Sequence, residues 1–199
     1  MRVRLPADAA GLAASAMRMA VAVILGYGVA VVNLSVVVNA VVALGVTYLP
    51  ALLRRDWGIR LSPRLTAVVT LAVLLHALGM VGLYEHVWWY DHLTHTFSAM
   101  LVAAVGYAAT CAVDEHSDAV SVPPRFLWVF LLLFTVALGV FWEVLEFLAR
   151  QVAAALGVEA VLVQYGLEDT ILDLVFDTVG ALLVALFGTE SLGELTDND

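Results

Sequence analysis

Asp91 and His95 stand four residues apart in Tyr90-Asp91-His92-Leu93-Thr94-His95-Thr96-Phe97, at the head of an apolar run that continues through Val105. On a helix that spacing puts a carboxylate and an imidazole on one face. Glu143 and Glu146 share a face in a second apolar run, and Asp169, Asp173 and Asp177 share one in a third, drifting only about 40° per step. Ionisable groups inside apolar segments cost several kcal/mol unless they are paired, hydrated or metal-bound. Carboxylates this close repel one another unless a cation or a shared proton intervenes. Two helices giving acids and a third giving an Asp-x-x-x-His pair make a cage for a hard or borderline divalent metal ion. Its predicted ligands are Asp91, His95, Glu143, Glu146, Asp173 and Asp177, with Asp169, His76 and His92 as secondary candidates. The Glu-x-x-His signature of di-metal helix bundles is missing. So is a recognisable nucleophile motif, and the residue pattern names no catalytic group.

Several of these residues also have a plainer reading. Asp91 and Asp169 fall where helices begin and could serve as caps. His76 could be a hydrogen-bonded core histidine, and His86 and His92 could lie at a membrane interface. Trp88, Trp89 and Tyr90 read as an aromatic belt at headgroup level. For Glu143, Glu146, Asp173 and Asp177 the plain reading is weak, because the adjoining halves of the spans hold no base to pair with them.

The elements that carry these residues are long. The chain has 199 residues, 63% of them hydrophobic, and a mean hydropathy of +0.97. The apolar residues come in runs of roughly 20, enough to cross a hydrocarbon core about 30 Å thick. The fold class is therefore all-α, a polytopic transmembrane helix bundle of about six spans in a single integral membrane domain, 1–199. The predicted spans are Leu12–Val32, Val36–Leu53, Leu65–Leu83, Asp91–Val113, Arg125–Ala149 and Glu168–Phe187. Asn33-Leu34-Ser35 is read as the turn between the first two. Gln151–Gln164, apolar but interrupted by Gly157 and Glu159, reads as an interfacial helix or re-entrant piece. Arg18 is expected to snorkel towards the end where its helix starts.

Eighteen acids face nine bases, all of them Arg. Acids crowd exposed positions such as Asp114, Glu115 and Asp118, beside His116, and the tail residues Glu190, Glu194, Asp197 and Asp199. Such a Lys-free composition resembles that of proteins from salt-in halophiles, where salt screens the repulsion. It also argues against nucleic acid as a partner. Cys111 stands alone, which excludes an intrachain disulfide and a thiolate metal site.

With the N-terminus cytoplasmic, the inside collects Arg2, Arg4, Arg18, Arg54, Arg55, Arg60, Arg64 and Arg125, and the outside only Arg150. The expected location is the plasma membrane, multi-pass, with both termini cytoplasmic. All three acid-bearing helices then bring their carboxylates to the outer third of the bilayer.

At these residues the chain resembles the YjdF-like family of inner-membrane proteins and, more distantly, the VanZ-like family. The resemblance rests on Tyr90-Asp91…His95, Glu143…Glu146 and Asp173…Asp177…Gly180-Ala181, and covers roughly residues 65–187. This chain departs from the pattern after His95, with Thr96 before Phe97 and Ser98-Ala99 where relatives carry Gln-Gly, and Asp169 sits one residue out of place. The resemblance implies a shared membrane fold and site, and no activity. From its residues, the chain is expected to be a metal-dependent enzyme working on a lipid or lipid-linked substrate in the lipid bilayer. A proton or cation carrier, or a structural or partner-binding membrane protein, are the alternatives.

Overall fold

The computed structural model describes residues 7–116, 121–162 and 164–188. Arg2, Arg4, Asp118 and the tail acids Glu190, Glu194, Asp197 and Asp199 lie outside the described residues, as do the side chains of Glu115 and His116. Among the described residues all regular structure is helical, without strands: α1 Ala7–Ala30, α2 Leu34–Trp57, α3 Pro63–Leu78, the π-turn π1 Gly79–Leu83, the short α4 Tyr84–His86, α5 Tyr90–His116, α6 Pro124–Leu156, α7 Leu167–Leu183 and a closing π-turn, π2 Val184–Gly188. Six helical stretches are long and apolar enough to cross a membrane: Ala9–Ala30, Leu34–Trp57, Pro63–His86, Tyr90–Asp114, Arg125–Leu156 and Leu167–Phe187. The Cα positions group into two compact units, Met1–Tyr90 with Ala149–Val163, and Asp91–Leu148 with Gln164–Asp199.

In the first unit, α1, α2 and α3 pack around Val21, Ile24, Val36, Ala40, Ala43 and Ala77. Local chemistry sets their ends. The Asn33 side chain accepts from Val36 N at 2.9 Å and so starts α2. Gly58, at φ 72°, ends α2 in the left-handed conformation. Ser62 caps α3, with Pro63 in its first turn. Arg18 does not reach for the start of its helix. Its guanidinium donates to the Thr47 carbonyl at 2.8 Å and to Thr47 Oγ1 at 3.1 Å, over the Tyr48 ring. Pro50 lies inside α2 one turn further on, where it supplies no N–H to the helix.

His76 belongs to a polar chain in the same unit. Asn39 Nδ2 donates to the Ser35 and Val161 carbonyls, at 2.9 and 2.6 Å, which leaves Asn39 Oδ1 facing His76 Nε2 at 3.0 Å. Nε2 must then carry the proton, and Nδ1 accepts from the Tyr84 hydroxyl at 2.9 Å. Tyr84 reaches back because π1 takes up an extra residue, with Gly82 at φ 121°. Gly79 has no Cβ to block the Tyr84 ring.

Gln151–Leu156 continue α6, correcting the separate interfacial or re-entrant element expected there. The helix stops at Gly157, at φ 68°, and the chain after it is irregular.

In the second unit each helix buries one polar or small-residue stripe. On α5 it includes Thr94, Ala99 and Ala103; on α6, Leu131, Thr135, Glu143 and Glu146; on α7, Asp173, Asp177 and Ala181. Glycines bring the helices close. A Cβ on Gly106 would strike the Phe134 ring, and one on Gly180 would meet the Thr96 carbonyl and Ala99 Cβ.

Candidate functional site

The first turns of α5 present Asp91 and His95, with Thr94 Oγ1 donating to the Asp91 carbonyl at 2.8 Å. α7 brings Asp173 and Asp177 to the two edges of the His95 ring. Nδ1 lies 3.3 Å from Asp177 Oδ1, a hydrogen-bonding distance. Nε2 lies 3.7 Å from Asp173 Oδ1 and 3.9 Å from Asp91 Oδ1, beyond hydrogen-bonding range. Asp177 can stand there because α6 carries Gly139 opposite it; a Cβ at Gly139 would overlap Asp177 Oδ2. His95 lies within ion-pair distance of Asp91, Asp173 and Asp177.

Asp173 is 2% exposed, and its Oδ1 has no hydrogen-bond partner. With Nδ1–H given to Asp177, the lone pair on His95 Nε2 points among carboxylate oxygens. Acceptors facing acceptors in a buried place call for a proton or a cation between them. One ligand atom each from Asp91, His95 and Asp173 lies within 4.8 Å of the others. Around an ion with bonds of about 2.0–2.2 Å, neighbouring ligands sit roughly 3–3.5 Å apart, so a small inward movement would close the set. Asp177 would then be the carboxylate that orients a ligating histidine through its other nitrogen.

The two glutamates are held otherwise. Glu143 Oε2 accepts from Thr170 Oγ1 at 2.7 Å, and Thr170 accepts in turn from Gln164 Nε2 at 3.1 Å. Glu146 Oε1 accepts from Trp142 Nε1 at 2.9 Å on its own helix. Both glutamates are buried. Asp169 Oδ2 accepts from Tyr165 N at 3.0 Å, reaching back over the start of α7 as an acid in a helix's first turn does. His92 stacks on Phe176, with ring centroids 4.3 Å apart. His76 is in the first unit, engaged by Asn39 and Tyr84.

The second unit therefore gathers Asp91, His95, Asp173 and Asp177 directly, while Glu143 is bonded to Thr170 of α7 and Glu146 to Trp142 of its own helix. Sequence reasoning missed Thr170, Gln164, Trp142 and Gly139. Gly139 did carry a signal, one turn before Glu143 on the acid-bearing face of α6.

Six apolar helices, with an Asp/His/Asp group buried in one of their bundles, define the class: a multi-pass helical membrane protein. A family model described as "Predicted membrane protein (DUF2238)" matches residues 12–193, and the chain belongs to that family. It is the family that the YjdF-like resemblance pointed to. An uncharacterized protein of Thermotoga maritima is 28% identical over 124 residues, which are 61% of this chain and 60% of that protein. No solved structure matches the chain.

Proposed function

We propose that Asp91, His95 and Asp173 hold a divalent metal ion, and that the protein is a metal-dependent enzyme acting on a lipid or lipid-linked substrate. The supporting observation is the Nε2 edge of His95, turned to two carboxylates at distances too long for hydrogen bonds. One imidazole with two carboxylates suits a borderline ion such as zinc, manganese or iron(II). Three protein ligands leave positions open for water or substrate, as catalytic sites do and closed structural sites do not. A metal there would polarise a substrate oxygen or lower the pKa of a bound water. With the N-terminus cytoplasmic in the plasma membrane, as the arginines lead one to expect, the start of α5 with Asp91 and His95 lies near the outer headgroups, within reach of a lipid's polar part.

The test begins with metal analysis of the purified protein. About one borderline divalent ion (zinc, manganese or iron) per chain is expected, and none of that class in an Asp91→Asn, Asp173→Asn variant that elutes as the parent does. A parent protein that binds no ion would leave an imidazolium shared among carboxylates and end the metal reading. The second arm incubates metal-loaded protein with membrane polar lipids and follows them by mass spectrometry. A lipid consumed with the parent and spared by the variant supports an enzyme. An unchanged lipid profile, with cation flux into liposomes, would favour a carrier instead.

A further inference from the structure

Next to the three-ligand group lies a second set of oxygens. The Thr170 hydroxyl has one proton, given to Glu143 Oε2. Thr170 can therefore only accept from its other neighbour, which fixes the Gln164 amide with its nitrogen towards Thr170. Both ends of this chain are then acceptors, Glu143 Oε1 and Gln164 Oε1. Each is shielded from solvent, and neither has a hydrogen-bond partner. Glu143 as a whole is only 5% exposed. Burying two acceptors without a donor is costly, more so for the charged one. A desolvated cation, smaller than a water molecule, relieves both at once.

We infer that Glu143 and Gln164 bind a second cation, of the hard, oxygen-seeking class of calcium and magnesium, making the centre a two-ion site. The inference rests on the metal-enzyme reading of the first group but has its own residues and its own ion preference. A carboxylate and an amide carbonyl, with no nitrogen ligand, select hard cations, whereas His95 draws a borderline one to the first group. Thr170 and Asp173 are three apart on α7, so their Cβ atoms are about 5–6 Å apart and the two ions would be close neighbours. Paired ions suit a substrate bearing a phosphate, because the acid-rich lining would repel an anion that no metal received.

The experiment loads purified protein with zinc, then titrates calcium by equilibrium dialysis. One calcium site per chain is expected. Glu143→Gln and Gln164→Leu should each weaken it about tenfold or more while zinc stays bound, and Gln164→Glu should tighten it, since affinity follows ligand charge. A misfolded protein would not gain affinity, so the last variant guards against a trivial loss. Calcium binding that ignores all three substitutions, or is absent, overturns the second ion. Zinc binding that ignores Asp173→Asn overturns the first site and leaves the calcium result standing.

Discussion

Asp177 lies against a residue with no side chain. Because its carboxylate fills the space where a Gly139 Cβ would be, Gly139→Ala should push Asp177 off His95 Nδ1. Loss of such an orienting partner typically costs about 10–100-fold in metal affinity. Metal titration of the variant should show that loss, and unchanged affinity would mean that Asp177 does not set the histidine. At this scale the charged members of the site were legible, because Asp, Glu and His inside apolar runs have few reasons to be there. Thr170 and Gln164 were not. Neutral polar residues near a helix start are ordinary, and only the folded hydrogen-bond chain shows which atoms are left over.

The turn at Asn33 was legible, whereas the Ser62 cap that starts α3 two residues before the expected Leu65 was not, and neither was the end of a long helix that simply runs on. α6 continues through Gln151–Leu156 because alanines and a leucine favour the helix, and the turn waits for Gly157. The end of α1 is unusual. Val32 N bonds to the Val29 carbonyl and Asn33 N to the Gly28 carbonyl, the paired bonds of a Schellman ending. That places Val32 at φ 57°, where glycine is the usual residue and a β-branched one is strained. Val32 is exposed, so little packing is lost with its side chain. Val32→Gly should therefore stabilise the protein by about 1 kcal/mol, reading the left-handed penalty of L-residues against the flexibility of glycine. A detergent-phase thermal melt would show a higher midpoint, and a lower one would mean that the turn does not use this conformation. Arg18 teaches the same lesson from the other side. A charge in a span looks like a snorkelling group until the fold supplies a neighbouring helix with a hydroxyl and a carbonyl in reach, as Thr47 does.

For the whole molecule, the helical class, the number of apolar spans and the family were legible, since length and hydropathy alone decide what can cross a bilayer. The division into two compact units was not, because sequence periodicity does not say which helices keep company. The arginines predict an orientation with both termini cytoplasmic, which is open to direct test. In a Cys111→Ala background, Arg60→Cys should react with a membrane-impermeant maleimide only after the cytoplasmic side is opened. Labelling of intact cells at that position would invert the topology and with it the outer-leaflet placement of the site.

The π-turn at Gly79–Leu83 bears on how this chain is compared with its kin. The Tyr84 N–H bonds to the Gly79 carbonyl five residues back, so the turn holds one residue more than an α-helix would. Such a bulge amounts to a single-residue insertion. A relative with a regular helix here would align with a one-residue gap between the positions of His76 and Tyr84. Gly82, at φ 121°, also kinks the chain inside this turn, so in such a relative the tyrosine would leave in another direction and would not meet the imidazole as it does here. An insertion or deletion here would unmake the contact as surely as Tyr84→Phe, which removes the hydroxyl, or Gly79→Ala, which puts a Cβ where the ring lies.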